Sequence, residues 1–329
     1  MIMVRLRRVR PLSLLIVPGV LLAACGGATA PSIGQVAKHA AAVIGGPSRG
    51  TVVSTPPAAL ATPVSATCDT APAVDTAAFP TTPRIDNRYL PLTPGKQYLL
   101  DGAVVGDDGK KHPHRIETTV TDLTKTIDGV HTVVVFDRDL EDGAMQESEI
   151  YFEAQDGTGT VWNFGEYPEE YANGTLKGAP RSWLPGVAGA VPGISMPAHP
   201  QTGTATYTEG LAPAVPFKDC ATVVGLGRTT CAISKCYDDV VVIDEYAPLQ
   251  AGDGHQEKFM AAGVGTIRVA AAGGVDPEAL QLTSSAVLCA ADLARIDALA
   301  LQEDQRAYTT RGDVWSGTEA GSQTLSAPC

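Results

Sequence analysis

The sequence is poor in positive charge and in aromatic residues, and it has no long uninterrupted apolar run. Its 24 Lys and Arg stand against 36 Asp and Glu, which gives a formal net charge of −12. An acidic surface repels phosphate backbones, so we expect no nucleic-acid partner. A membrane-spanning helix needs about 20 consecutive apolar residues, whereas the apolar run that starts at Leu12 ends at Leu22 and contains Pro18. This run therefore does not predict a spanning helix.

The short apolar run is typical of a signal peptide. It follows a stretch with four arginines and no acidic residue, and it ends in Leu22-Ala23-Ala24-Cys25. A basic region, a short apolar region and small residues before a cleavage site are the parts of a secretory signal. The last four residues resemble the lipobox of bacterial lipoproteins, in which the cysteine receives diacylglycerol. We predict that residues 1–24 are a lipoprotein signal peptide and that Cys25 is lipidated; Arg7 and Arg8 leave twin-arginine export open as an alternative route.

Lipidation of Cys25 predicts where the chain resides. Each buried CH₂ of an acyl chain adds about 0.8 kcal/mol of membrane affinity, and more than one chain makes attachment stable. The expected partner is therefore a membrane, bound through the diacylglyceryl anchor on Cys25, and the expected location is the extracytoplasmic face of the cell membrane. The abundance of Ala, Gly and Pro is typical of a high-GC organism, so an actinobacterial outer leaflet is the preferred expectation.

Six further cysteines suit an exported chain. They are Cys68, Cys220, Cys231, Cys236, Cys289 and Cys329. An even number of cysteines outside the cytoplasm predicts disulfides, and here it allows up to three. We expect Cys289 to pair with Cys329, and two of Cys220, Cys231 and Cys236 to pair locally. The alternative is a zinc site at Cys231 and Cys236, but no second pair has metal-ligand spacing, so we expect neither a metal nor another cofactor.

The chain divides into a tether and a folded domain. Residues 25–79 are rich in Ala, Pro, Gly and Thr, and such a segment buries too little apolar surface to fold. About 50 flexible residues reach ~40 Å. Residues 80–329 alternate between β-rich runs and turn signals such as Asp128-Gly129 and Asp156-Gly157, which predicts an antiparallel meander.

The periodicity changes near the C-terminus. Leu293, Ile296 and Ala300 recur on one helical face, which predicts a terminal helix over 289–308. The predicted fold class is therefore mainly β (α+β): a curved antiparallel sheet or half-open barrel with one C-terminal helix.

Four segments resemble a family of uncharacterised exported bacterial lipoproteins of actinobacterial type. They are Asn87–Gly95 (N-x-Y-x-P-L-x-P-G), Val161–Glu166 (V-W-x-F-G-E) with Glu170–Gly174, Trp183–Pro197 (which contains P-G-I-x-M-P) and Ala261–Val269. In the fourth segment, Met260-Ala261-Ala262 stands where the family's (Y)APGVG motif has Tyr-Ala-Pro. The resemblance covers most of residues 85–315 and implies an extracytoplasmic lipoprotein. More distantly, the strand pattern is similar to the half-barrels of bacterial lipoprotein carriers, which hold acyl chains in a concave sheet face.

Motifs for catalysis or metal binding are incomplete. Gly193–Pro197 has a proline where the nucleophile elbow G-x-S-x-G requires its second glycine. Asp137–Gly143 places its glycine one position late for a calcium loop, so we expect a solvated acidic hairpin. His112 and His114 offer two imidazoles, which bind zinc or copper only if a third ligand converges. We therefore expect exposed loop histidines here.

Aromatic residues concentrate between residues 151 and 183 and mark the best candidate for a ligand-facing surface. The candidates are Tyr151, Trp162, Phe164, Tyr171 and Trp183, with core packing as the alternative. We expect a non-enzymatic binding or carrier module for an apolar or lipid-like ligand. One alternative is an envelope hydrolase using acids near Glu166–Glu170, although Glu169 and Glu170 point to opposite faces of a strand. A structural surface protein is the other alternative.

Overall fold

The computed structural model describes Cys68 and residues 72–106, 108–233, 235–274 and 277–327. The predicted signal peptide 1–24, Cys25, most of the tether 25–79 and Cys329 lie outside the described residues. Within the described part, no helix combines the length and the apolar character that crossing a membrane requires.

Strands make up most of the described chain, and its helices come near the end. The strands are β1 (Ile85–Asp86), β2 (Pro91–Leu92), β3 (Lys96–Val105), β4 (Lys111–Ile127), β5 (Val130–Glu141), β6 (Ala144–Gln155), β7 (Val161–Ala172), β8 (Thr175–Gly178), β9 (Val191–Met196), β10 (Tyr207–Ala212), β11 (Phe217–Ala232), β12 (Lys235–Tyr246), β13 (His255–Ala261), β14 (Gly265–Ala272), β15 (Glu278–Val287) and β16 (Ser322–Gln323). Helix α1 spans Ala290–Thr310 and helix α2 spans Gly312–Trp315. Short 3-10 turns lie at Thr76–Ala78 and Pro248–Asp253.

Over the described residues, twelve strands form an antiparallel sheet that closes on itself. Its order is β4-β3-β15-β14-β13-β12-β11-β10-β9-β7-β6-β5, and β5 pairs again with β4. Strand β8 adds to β7, and β16 adds to β4. The predicted fold class is confirmed, with a C-terminal helix beside a mainly antiparallel sheet. The sheet is fully closed, because β15 pairs with β3 and so joins the two ends of the meander.

Each strand sends alternate side chains to the interior of the closed sheet and to its outer face. On β6, Tyr151 belongs to the interior apolar cluster, whereas Ile150 and Phe152 belong to the cluster on the outer face. The interior cluster also contains Leu100, Val135, Val223, Ile243, Ile267, Val269 and Leu280. Two separate apolar cores, one inside the sheet and one outside it, therefore stabilise the fold.

Helix α1 packs against the outer face of the sheet. Its buried Ala300 and Ala307 belong to the outer cluster, and alanine has the highest helix propensity. Trp315 of α2 is fully buried, with its ring centroid 6.1 Å from that of Phe152 and 5.3 Å from that of Tyr167. Both helices thus lie outside the sheet and leave its interior to side chains of the strands.

The β1–β2 hairpin covers one end of the interior, called here the hairpin end. Asn87 fixes it, because its side-chain oxygen accepts hydrogen bonds from the backbone N–H groups of Tyr89 (2.9 Å) and Leu90 (3.2 Å). Its side-chain amide donates to the carbonyl oxygens of Gly159 (2.9 Å) and Pro197 (3.2 Å). The N-x-Y-x-P-L-x-P-G segment therefore contributes the residues that close this end.

One disulfide joins the start of the described chain to the sheet, and another links the two strands of a hairpin within the sheet. Cys68 is bonded to Cys220 of β11, 152 residues away. Cys231 and Cys236 form the predicted local disulfide, across the β11–β12 hairpin where they are opposite each other in register. Cys289 is also disulfide-bonded, while its expected partner Cys329 lies outside the described residues.

Candidate binding site inside the closed sheet

A cavity lies within the closed sheet at its hairpin end. Apolar side chains from the β1–β2 hairpin and from β3 form much of its wall, and the β13–β14 turn completes it. The lining residues are Leu90, Pro91, Leu92, Tyr98, Leu100, Thr118, Tyr151, Val264, Gly265 and Thr266. The wall is mainly apolar, and the cavity volume of about 30 Å³ is that of a small apolar group.

A β-bulge at Gly165 changes which side chains of β7 face the interior. The pairing of β6 with β7 shifts register between Tyr151 and Glu153, and Gly165 has a φ of +109°. Before the bulge, Trp162 and Phe164 belong to the outer cluster. After it, Glu166 pairs with the inward Tyr151. An extra residue in one strand reverses the alternation, so Glu166 points into the sheet.

Tyr151 and Trp183 lie on either side of Glu166. Tyr151 is the register partner of Glu166 on β6, and the backbone of Trp183 forms an antiparallel bridge to Glu166 on the other side. The Trp183 ring stacks on Phe217, with centroids 5.3 Å apart. Trp183 and Phe217 form a small buried cluster with Ala212 and Ala247 at the end of the interior away from the hairpin. Two of the predicted ligand residues thus meet around one carboxyl group.

The middle of the interior is rich in carboxyl groups. Seven buried acids of β5, β6, β7, β10, β11 and β12 point inward here, and they are Asp137, Glu149, Glu153, Glu166, Glu209, Asp219 and Glu245. Charged groups are costly to bury unless they are paired. In the described part of the chain, Lys258 and Arg181 are the cations that influence the pKa values of these acids.

Lys258 partly neutralises the acidic interior. It lies on β13 with only 2% of its side chain exposed, and it forms an ion pair with Glu245. Burial alone would lower the pKa of Lys258, but the nearby Glu245 and Glu209 raise it above its ordinary value. Lys258 is therefore charged at neutral pH and holds one carboxylate beside it.

Most of the other acids have raised pKa values because they are buried. Burial raises the pKa of Glu166 to about 8, although Arg181 opposes the increase. It raises the pKa of Asp137, Glu153 and Asp219 to about 7. The pKa of Glu149 is also well above its ordinary value, through burial and the nearby Glu166. Near neutral pH these groups share protons instead of carrying a full set of negative charges.

Several interior oxygens have no protein partner. Among the described residues, one side-chain oxygen each of Asp137, Glu149, Glu166, Glu209 and Asp219 makes no hydrogen bond. Nearly all buried polar atoms in native proteins are hydrogen-bonded, so five such oxygens in one interior are unusual. They give the interior an unused capacity to accept hydrogen bonds.

Glu169 and Glu170 do not converge. Glu169 faces outward, where Arg306 of α1 donates to both of its oxygens at 2.7 Å. Glu170 accepts a hydrogen bond from Nε of Arg181 at 2.9 Å, and Arg181 also pairs with Glu147. The converging pair that the hydrolase hypothesis requires is therefore not formed by these two neighbours.

The remaining aromatic candidates lie on the outer face. Phe164 packs edge-on against Phe79 at 5.3 Å, and Trp162 is 6.5 Å from the same ring. The hydroxyl group of Tyr171 donates a hydrogen bond to Glu169 at 3.0 Å. The structure thus brings Tyr151 and Trp183 together and separates them from Trp162, Phe164 and Tyr171. A ligand-binding role for the five stays a prediction.

His112 and His114 lie within strand β4. The expectation that they are exposed loop histidines is therefore wrong. His114 is buried, with Nε2 2.8 Å from Asp139 and Nδ1 3.3 Å from Glu278. His112 is half-buried at the rim, with Nδ1 2.7 Å from Asp142. With Glu141, His112 and Asp142 offer ligand atoms within 4.8 Å of one another. In this geometry the imidazole of His112 already has carboxylate partners.

Ser195 lies in β9 and its hydroxyl donates to both oxygens of the buried Glu153, at 2.9 and 2.8 Å. A nucleophile elbow requires a turn from a strand into a helix, and β9 is followed by a loop that leads to β10. The partner of Ser195 is thus one of the interior acids.

The interior carboxyl groups were not predicted from the sequence. Glu147, Glu149, Tyr151 and Glu153 alternate along β6, and that period of two was the available signal. The alternation shows that these residues share a face, but it does not show that the face is buried. Glu166 gave no such signal, because the bulge at Gly165 interrupts the alternation on its strand.

The chain matches no protein-family model and no curated protein. Among solved structures, it is similar to a Bacteroides fragilis protein described as exported, with a YmcC-like fold, at 12% identity and a TM-score of 0.38. It is also similar to a protein from Parabacteroides distasonis described as a lipoprotein, at 11% identity and a TM-score of 0.32. Each alignment covers 61% of this chain and 99% of the other.

Proposed function

We propose that this chain is an extracytoplasmic lipoprotein, anchored through Cys25, that binds an apolar or lipid-like ligand inside its closed sheet. The observation that carries the proposal is the apolar cavity at the hairpin end, which Tyr151 lines. Tyr151 is also the register partner of Glu166, a buried acid with one unpartnered oxygen. The lipobox-like sequence before Cys25 supports the anchor. The protein would act by holding a ligand, as a carrier or receptor does, and not by transforming it.

The geometry supports a binding role in a second way. Protein interiors are normally close-packed, and their buried polar atoms are normally hydrogen-bonded. This interior contains both a cavity and oxygens without a hydrogen-bond partner among the described residues. A ligand with an apolar part and a polar part would supply the missing contacts.

Filling the cavity tests the proposal. Val264 is half-buried in the cavity wall, so Val264→Trp should occupy the space that the ligand needs. Val224 is 43% exposed on β11, and Val224→Trp serves as the matched control. We expect organic extracts of the purified full chain to contain a lipid-like molecule, retained in Val224→Trp and lost in Val264→Trp. Identical extracts from all three proteins and from a detergent blank would contradict the proposal.

A further inference from the structure

We propose that the ligand of this interior carries a protonated amine, which the carboxyl groups around Glu166 bind. This inference rests on the proposed function and adds the chemistry of the head group. It starts from the imbalance of charge inside the sheet, which neither the apolar cavity nor the membrane anchor explains.

The interior acids outnumber the cations available to them. Two of the buried inward acids, Asp139 and Glu278, pair with the buried His114. Seven others are Asp137, Glu149, Glu153, Glu166, Glu209, Asp219 and Glu245. Lys258 is committed to Glu245, and Arg181 is shared with Glu147 and Glu170 at the rim. Without a further cation, most of the seven must bind protons to remain buried. A ligand with a positive charge would replace those protons.

The unpartnered oxygens indicate where the charge would sit. Glu149, Glu166 and Asp219 each have one oxygen without a hydrogen-bond partner in the described part of the chain. Glu166 influences the pKa of Glu149, and Asp219 influences that of Glu166. The fold also places them near one another: Glu149 is two residues from Tyr151, the register partner of Glu166. Asp219 is two residues from Phe217, whose ring stacks on Trp183 beside Glu166. An ammonium group, which has three donors, matches this set of three acceptors.

The surroundings of Glu166 also suit a cation. Tyr151 and Trp183 flank it on the two neighbouring chain segments, and aromatic faces attract ammonium groups. Tyr151 also lines the apolar cavity. A tail in the cavity and an amine beside Glu166 would thus be neighbours within one molecule. A carboxylate or phosphate head group would meet repulsion from the same acids.

Three eight-carbon ligands separate the head group from the tail. Octylamine, octanol and octanoate share their tail, so calorimetric titration of the full chain with each, in one non-ionic detergent at pH 7.5, compares head groups alone. A hydrogen bond to a charged group is worth enough to change affinity at least about tenfold. We expect octylamine to bind about tenfold or more tightly than octanol, and octanoate to bind most weakly.

Substituting Glu166 tests whether the preference for octylamine over octanol comes from this cluster. Glu166→Gln should reduce the affinity for octylamine to that for octanol, and a cooperative circular dichroism melt shows that the variant is folded. Asp219→Asn should reduce the preference for octylamine in the same way. Glu169→Gln, on the outer face beside Arg306, is the matched control and should keep the preference of the wild type.

The pH dependence gives a second readout. Glu166, with a pKa of about 8, and Asp219, with a pKa of about 7, lose protons as the pH rises from 6 to 8, whereas Lys258 and Arg181 stay charged. Octylamine also stays protonated over this range, so its affinity should rise while that of octanol stays constant. Equal binding of octylamine and octanol by the wild type would overturn the amine inference and leave the proposed function standing. Absence of binding by all three ligands would overturn the proposed function itself.

Discussion

At Gly165 the backbone needs a conformation that other residues rarely adopt, and it also needs space. A Cβ added to Gly165 would lie 2.4 Å from the carbonyl oxygen of Trp183, and its φ of +109° strains any L-residue. Gly174 shares a positive φ of +71° but has no atom within 4 Å of such a Cβ. Comparing the two glycines therefore separates backbone strain from close packing.

We expect Gly165→Ala to destabilise the fold more than Gly174→Ala does. A non-glycine residue at positive φ costs about 1–3 kcal/mol, and this cost is common to both variants. Only Gly165→Ala also has to displace Trp183 and the bridge to Glu166. Urea denaturation of the two variants measures the difference in the free energy of unfolding, and equal losses would show that the bulge is not tightly packed.

Glu166 should make stability depend on pH. Its folded-state pKa of about 8 lies above the ordinary value of a glutamate in an unfolded chain. The folded state therefore binds the proton more tightly, so this contribution to stability is fully present below about pH 4. It is lost as the pH rises through about 8.

Glu166→Gln removes the group that titrates without changing its shape. We expect the melting temperature of the wild type to fall between pH 5 and pH 8, and that of Glu166→Gln to fall less. Circular dichroism melts at several pH values measure this slope. Glu319→Gln, at an exposed position, is the control and should retain the slope of the wild type. A wild-type slope in Glu166→Gln would show that Glu166 does not hold its proton in the folded state.

At the scale of elements, the helices and the closed sheet are joined by the outer core. Trp315 is fully buried against Phe152 and Tyr167, and its indole N–H donates to Asp304 at 2.9 Å. Asp304 also forms a buried ion pair with Lys125 of β4, at 2.9 Å. Trp315 therefore packs in the outer core and also holds Asp304, the ion-pair partner of the buried Lys125.

Trp315→Ala should therefore loosen the helices from the sheet. Truncation of a buried tryptophan costs about 3–5 kcal/mol, and exposure of the Lys125–Asp304 pair to water changes its energy as well. The free energy of unfolding from denaturant titration measures the loss. Because the cavity lies on the other side of the sheet, we expect octanol binding to survive at temperatures where the variant is folded. Loss of binding in the folded variant would place the ligand at the outer core instead.

The two described disulfides close loops of very different length. In the chain-entropy account, a bridge spanning about 150 residues contributes roughly 5 kcal/mol, and one spanning five residues contributes roughly 2 kcal/mol. Cys68→Ala with Cys220→Ala should therefore destabilise the chain more than Cys231→Ala with Cys236→Ala. Denaturant titration of the two double variants tests the order. The reverse order would mean that the Cys68 segment contributes little to the fold.

At the scale of the whole molecule, the anchor at Cys25 is the prediction with the sharpest readout. Metabolic labelling with an alkyne fatty acid should mark the wild type in the membrane fraction, since the predicted lipidation site is Cys25. Cys25→Ser should lose the label and keep residues 1–24 attached. Cys68→Ser retains Cys25 and should remain labelled. Label on Cys25→Ser would place the lipid on another residue.

The overall architecture followed from the sequence, because strands and helices have different periods. The meander was visible in its turns, and α1 was visible in the spacing of Leu293, Ile296 and Ala300. Closure was not visible, because it depends on the pairing of β3 with β15, where Leu100 is opposite Leu282. No local pattern encodes such a distant register.

The candidate site was predictable only in part. Tyr151 and Trp183 were identified by their aromatic character, and both lie beside Glu166. Trp162 and Phe164 were grouped with them because they are near in sequence, but the alternation along β7 turns them to the outer core. The direction in which Glu166 points depends on a bulge, and a bulge is a property of pairing between strands.

The bond between Cys68 and Cys220 has a mechanical consequence for a protein held at Cys25. Tension along residues 26–67 would reach Cys68 first, and the disulfide would transmit it directly into β11. The segment from residue 72 to the β1–β2 hairpin would then carry no load. Shear on the cell surface would therefore pull against a long strand inside a closed sheet, and the hairpin that seals the cavity would stay in place.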